Sequence, residues 1–253
     1  MTREETARRR KRLRIILGVL LAVILLGCAG FAVYVGDYYH ADETAVQAMA
    51  PADGIIISKT DGDDLVFVPS NPRAGLIFYP GGKVEYTAYA PLMRACAEKG
   101  ILCVLVKMPC NLAVLDRNAA DGIAEQYPDI DAWYIGGHSL GGAMAAAYAA
   151  DHSGELDGLI LLAAYSTKDL NGSGLDVLSV CGSEDRVLNR EKYEGYRGNL
   201  PSGAVEIVME GGCHAGFGSY GPQKGDGTPA ITNEEQIMKT VPEIADIVFG
   251  TGS

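Results

Sequence analysis

The sequence predicts an α/β fold: an eight-stranded, mostly parallel sheet with helices on both faces, preceded by a single apolar helix. Three observations carry that expectation. From Gly54 onward, short β-branched runs alternate with longer helical patterns, as they do when crossover helices join parallel strands. Within this alternation a serine flanked by glycines, Gly137-His138-Ser139-Leu140-Gly141, falls between a strand pattern and a helix pattern. Near the N-terminus, Leu13 to Val35 forms an apolar run of 23 residues whose one charged side chain is Arg14, at its start.

That apolar run exceeds the roughly 20 residues an α-helix needs to cross a bilayer. Residues 1–12 form a basic tail, expected to be cytoplasmic, before the expected transmembrane anchor at 13–35. The first 14 residues hold seven bases against two acids, a bias that keeps an N-terminus in the cytoplasm. The remainder is then expected outside the cell membrane. Two alternatives stay open: a cleaved signal peptide releasing a secreted domain, and a lipoprotein, since Leu25-Leu26-Gly27-Cys28 is a loose lipobox. Both also export the domain. Residues 36–51 read as a polar, alanine-rich connector, and 52–253 as one catalytic domain.

The strands expected in that domain are Ile55–Ser58, Leu65–Val68, Gly75–Tyr79, Ile101–Val106, Ala132–Ile135, Gly158–Leu162, Asp176–Cys181 and Val205–Met209. The first two lie close enough, across Asp61-Gly62, to make an antiparallel hairpin at one edge. Helices are expected at Tyr86–Lys99, Leu112–Gln126, Gly142–Asp151, Arg190–Tyr196 and Glu234–Val248. The segment from Ala163 to Leu175 is short and polar, so no large lid domain is expected.

Composition excludes some partners. The net charge of −11, set against the basic tail, leaves about −16 on the rest of the chain. An acidic domain without a basic stripe is a poor fit to nucleic acid. Of six cysteines, Cys28 lies in the span and the other five match neither a zinc ribbon nor a CxxC pair. A disulfide between Cys181 and Cys213, each beside a candidate active-site loop, is left open. Gly216 to Gly221 fits GxGxxG, but Pro222 follows where a dinucleotide site needs a helix. No metal-ligand cluster or phosphate loop appears, so neither a metal nor a cofactor is expected.

The chemistry converges on Ser139. At a sharp strand-to-helix turn, glycines two residues to either side remove the Cβ atoms that would collide with the turn. Trp133-Tyr134-Ile135 supplies the strand and the alanine-rich run after Gly142 supplies the helix. The helix N-terminus makes Leu140 N–H a candidate oxyanion donor. A serine hydroxyl is a poor nucleophile until a base takes its proton. Of four histidines, His40 lies in the connector, His138 abuts the nucleophile and is expected to project elsewhere, and His152 sits at a helix end. His214, in the loop after the last strand, is the candidate base.

Asp185, just beyond the strand ending near Cys181, is the candidate carboxylate that orients His214, with Asp169 its competitor. The second oxyanion donor is expected from the loop after the third strand, at Gly82 N–H, with Lys83 as the alternative. Lys83, Glu85, Met108, Asn111, Tyr165 and Tyr220 are candidates for lining a substrate pocket beyond the C-terminal strand ends.

Four segments carry a family resemblance: YPGGK at 79–83, GGHSLGG at 136–142, CGSED at 181–185 and GGCH at 211–214. Over roughly Ala52 to Phe249 the chain resembles the α/β-hydrolase superfamily, within it the compact bacterial carboxylesterases and dienelactone hydrolases. The resemblance implies Ser139 as nucleophile, Asp185 as acid and His214 as base. Two departures stand out: Pro80 where many members have histidine, and serine where dienelactone hydrolases use cysteine. The expected protein is a membrane-anchored, extracytoplasmic serine hydrolase acting on a small-molecule ester through an acyl-enzyme. An acyltransferase using the same triad, or an inactive binding module on the same fold, are the alternatives.

Overall fold

The computed structural model describes residues 3–250 in two units, of which the first is Met1–Tyr38 and the second Tyr39–Ser253. The first unit is a helix, α1 (Arg3–Gly36). Its stretch Arg12–Gly36 holds an 18-residue window with a mean hydropathy of 2.8 and is long and apolar enough to cross a membrane.

The second unit is built on one sheet. Its strands are β1 (Ile55–Lys59), β2 (Leu65–Pro69), β3 (Ala74–Tyr79), β4 (Ile101–Leu105), β5 (Trp133–His138), β6 (Gly158–Leu162), β7 (Asp176–Gly182) and β8 (Val205–Met209), in the order β1-β2-β4-β3-β5-β6-β7-β8. Strands β3 to β8 run parallel, while β2 is antiparallel to both β1 and β4. All eight expected strands form, and the β1–β2 hairpin lies at the sheet edge.

Every residue of β3, β4, β5 and β6 is buried, which is why these strands read as unbroken apolar runs rather than alternating ones. The period of two still assigns the faces. Leu76 and Phe78 pack on one side with Leu92, Met93, Ile237, Val241 and Ile244 from α3 (Ala90–Glu98) and α6 (Asn233–Phe249). Ile77 and Tyr79 face the other, against Ala145, Ala146 and Ala149 of α4 (Leu140–Asp151), while the short α5 (Arg190–Tyr196) follows β7. Small side chains let α4 press close to the sheet. The start of α6 is fixed by a capping box, with Thr232 Oγ1 accepting from Glu235 N at 3.1 Å and Glu235 Oε2 from Thr232 N at 2.7 Å. Such a cap contributes about 1 kcal/mol.

Two stretches differ from a plain reading of the sequence. Residues 112–126 do not make the expected helix; they form separate 3-10 turns at Ala113–Leu115 and Ala124–Gln126. Asp116, Asn118 and Asp121-Gly122 favour turns over helix interiors, and Gly122 takes a φ of +73°. The Tyr79 hydroxyl then secures the irregular backbone, donating to Arg117 O at 2.9 Å and accepting from Ala120 N at 2.8 Å.

In the expected connector, Tyr39 N donates to Lys83 O and Glu85 N to Tyr39 O, both at 2.8 Å. Asp42 caps a short helix, α2 (Glu43–Ala48), accepting from Ala45 N at 3.1 Å. These residues are thus built into the second unit. All six cysteines are free thiols, including Cys181 and Cys213.

Candidate active site

Three parallel strands deliver the chemistry to one edge of the sheet. Ser139 follows β5, Asp185 follows β7 and His214 follows β8. A single residue separates β5 from α4, so the chain must reverse within Ser139, whose φ of 51° and ψ of −120° lie in a region costly for any side chain. The flanking glycines make the reversal possible. A Cβ on Gly137 would stand 2.6 Å from Gly141 C, and one on Gly141 would stand 2.3 Å from the carbonyl oxygens of Tyr79 and Pro80. No L side chain fits there.

The Asp185 and His214 side chains are almost wholly buried, and His214 Nδ1 meets Asp185 Oδ2 at 2.9 Å. Asp185 Oδ1 accepts from Val187 N at 2.9 Å and Leu188 N at 2.8 Å, so the carboxylate is fixed by backbone on one side and imidazole on the other. His214 Nε2 has no hydrogen-bond partner among the described residues. Ser139 and His214 line the same pocket of about 280 Å³, together with Leu140, Tyr165, Val187 and Leu188. Asp169 instead accepts from Asn171 N at 2.9 Å in an exposed turn.

Around the serine, Gly82 packs against Leu140, since a Cβ on Gly82 would lie 2.8 Å from Leu140 Cδ2. The two candidate oxyanion donors therefore sit on adjoining pieces of chain. Lys83 N donates to Asn111 O at 2.8 Å and Gly81 N donates to Tyr89 Oη at 3.1 Å, which leaves Gly82 N as the uncommitted amide of this loop among the described residues.

The structure brings only one of the six candidate lining residues, Tyr165, into the pocket. Met108 is buried in the core beneath the sheet. Tyr220 packs on Tyr39 and Tyr89 and donates to Gln223 Oε1 at 3.0 Å. Glu85 accepts from Ala41 N and Thr87 Oγ1. Lys83 and Asn111 join each other through backbone, both at positive φ. Each of these five lies outside the pocket lining, Lys83 and Glu85 because their stretch of the loop after β3 is paired through backbone with Tyr39. Val187 and Leu188 were not anticipated as lining residues. The signal for them is position, since they follow Asp185 and donate to its carboxylate.

Asp226 is a further residue that sequence reasoning missed. Burial pushes its carboxyl up, but backbone N–H groups of Ala215, Gly227, Arg186 and His214 outweigh that, so it titrates below the usual carboxylate range. Ala215 N donates to it at 2.8 Å, tying down the residue next to His214. A depressed folded-state pKa stabilises the fold at pH values above the ordinary carboxylate range and ceases to do so as pH falls through the lowered value. Asp226→Asn is expected to lower stability by about 1 kcal/mol at pH 7, discounted for its partly exposed side, and by less near pH 3. Denaturant titrations at both pH values check the difference.

An α/β-hydrolase family model matches residues 75–238, which span β3 to the first turns of α6. The chain belongs to the α/β-hydrolase family. No curated protein sequence matches this α/β-hydrolase significantly. Among solved structures it is similar to a predicted CIB-like hydrolase from Thermoplasma acidophilum, at 18% identity and a TM-score of 0.54, over 76% of this chain and 100% of that one. It is also similar to carboxyl esterase 2 from the mycorrhizal fungus Tuber melanosporum, at 10% identity and 0.58, over 84% and 91%. A dienelactone hydrolase from Anabaena variabilis aligns at 10% identity and 0.56, over 76% and 96%. At these identities the neighbours speak to the fold of this hydrolase.

Proposed function

We propose that this α/β-hydrolase is a membrane-anchored, extracytoplasmic serine hydrolase that cleaves small carboxylic esters through an acyl-enzyme. The observation that carries the reading is His214: Asp185 occupies its Nδ1, and its free Nε2 belongs to a ring lining the pocket that Ser139 also lines. In the proposed reaction Ser139 Oγ bonds to the ester carbonyl carbon while His214 Nε2 takes the hydroxyl proton. Leu140 and Gly82 N–H groups receive the oxyanion. Collapse breaks the bond to the alcohol, which leaves with the proton from His214. Water then repeats the sequence, releases the acid and restores Ser139.

Support for an ester substrate comes from the pocket and from the two neighbours named as a carboxyl esterase and a dienelactone hydrolase. At about 280 Å³, with alanine, valine and leucine in its walls, the pocket falls just under the usual lower bound of about 300 Å³ for ligand sites. It suits a short acyl group. The basic tail and the apolar helix support a cytoplasmic N-terminus with the catalytic domain outside.

Butyryl esters should show kcat/KM values more than about tenfold above dodecanoyl esters, since forcing surplus methylenes against the walls of a filled pocket costs about 1 to 3 kcal/mol. Equal or better use of long chains contradicts the proposed specificity. Transfer to added alcohols faster than to water would reassign the enzyme to acyl transfer. Protease added to spheroplasts should digest the domain, whereas full protection contradicts the proposed location.

A further inference from the structure

His138 and Tyr89 take no part in the chemistry above, yet both are buried against it. Tyr89 is fully buried in the core beside Phe78, with ring centroids 5.3 Å apart. Its hydroxyl accepts from Gly81 N at 3.1 Å and lies 2.7 Å from His138 Nδ1. The His138 ring in turn stands 4.5 Å, centroid to centroid, from the ring of His214. One phenol therefore joins the oxyanion loop to the residue before the nucleophile, and that residue backs the base. Gly81 makes room for the junction, since a Cβ there would stand 2.6 Å from Tyr89 Oη and 2.8 Å from His138 Nδ1.

Hydrogen-bond accounting fixes the direction of the link. Burial pushes the Tyr89 phenol far above its ordinary value, so it keeps its proton. With the proton of His138 on Nε2, the phenol donates to Nδ1 and the Nε2–H is the one group of the pair left without a full partner. With it on Nδ1, the phenol proton and the Nε2 lone pair would both be stranded in the core, the costlier arrangement. The His214 carbonyl lies on the side that favours an N–H on this ring, although it falls short of a full hydrogen bond to Nε2. Burial, and then the adjacent His214, hold His138 well below the ordinary imidazole range, which keeps the ring neutral beside a base that must become an imidazolium.

We propose that Tyr89 and His138 are positioning residues, the Tyr89 hydroxyl locking the oxyanion loop in register with the elbow through a His138 ring protonated on Nε2. The proposal rests on the esterase reading only for its kinetic consequence. Its effect is on kcat, because the Gly82 donor and the His214 base act on charge that develops in the transition state.

The test uses Tyr89→Phe in the full chain in detergent, a change that keeps the ring and removes only the hydroxyl. Its expected kcat is about tenfold lower, with KM within about twofold. Magic-angle-spinning 15N spectra of the histidine-labelled wild-type chain should show His138 neutral, protonated on Nε2 and accepting at Nδ1. In Tyr89→Phe the Nδ1 signal should lose that hydrogen bond.

A wild-type kcat in Tyr89→Phe, a loss of melting temperature with kcat unchanged, or a His138 protonated on Nδ1 overturns the proposal. The wild-type spectrum decides the tautomer even if Tyr89→Phe fails to fold. If the wild type turns over no ester, the esterase reading fails, while the spectra still decide the link.

Discussion

Ser139→Ala is expected to reduce ester turnover by about 10⁶-fold while leaving the fold intact. The expected loss is large because in the proposed reaction the hydroxyl forms the covalent intermediate, and neither His214 nor the proposed oxyanion donors can replace it. Folding should survive. The cost at this position lies in its φ of 51°, which alanine also bears, and the elbow's close contacts are made by Gly137 and Gly141 and not by the serine side chain. Unchanged circular dichroism and a melting temperature within a few degrees, with turnover at background, would bear this out. Residual activity above about a hundredth of wild type would place the nucleophile elsewhere.

Asp185→Asn is expected to lower kcat by about 10⁴-fold, again without unfolding the protein. The reason is directional. Asp185 Oδ1 accepts two backbone N–H groups, from Val187 and Leu188, and an asparagine carbonyl oxygen can keep both. Its amide nitrogen then replaces Oδ2 and presents a donor to His214 Nδ1, where the wild type presents an acceptor at 2.9 Å. The proton of the imidazole is driven to Nε2, the atom that accepts from Ser139 in the proposed reaction. KM should change little, since the carboxylate does not line the pocket. A small effect on kcat would mean that Asp185 does not set the tautomer of His214.

The sheet was legible because its inner strands are buried on both faces and the crossovers between them are long, so apolar runs and their spacing report it directly. The elbow was legible for a steric reason: only glycine fits at 137 and 141, and that requirement is visible in the letters. Chain order placed Asp185 and His214 after the strands that bring them together. What the sequence hid depends on side-chain reach across the fold. Residues 112–126 read as a helical pattern, but turn formers at Asp116, Asn118 and Asp121-Gly122 and the Tyr79 hydroxyl from another segment hold them open. Tyr89 reads as one more aromatic on a helix face until the fold places its oxygen between Gly81 and His138. Glu85 and Tyr220 looked free to line a pocket because nothing local shows the contacts made by Tyr39 and Ala41.

Ser139 is proposed as a nucleophile activated by His214. Incubating the full chain with a fluorophosphonate and mapping the adduct by peptide mass spectrometry tests it most directly. One adduct per chain is expected, on the peptide carrying Ser139, absent from Ser139→Ala and formed far more slowly in Asp185→Asn. A folded wild-type chain that takes up no phosphonate, or takes it up at another residue, would contradict it.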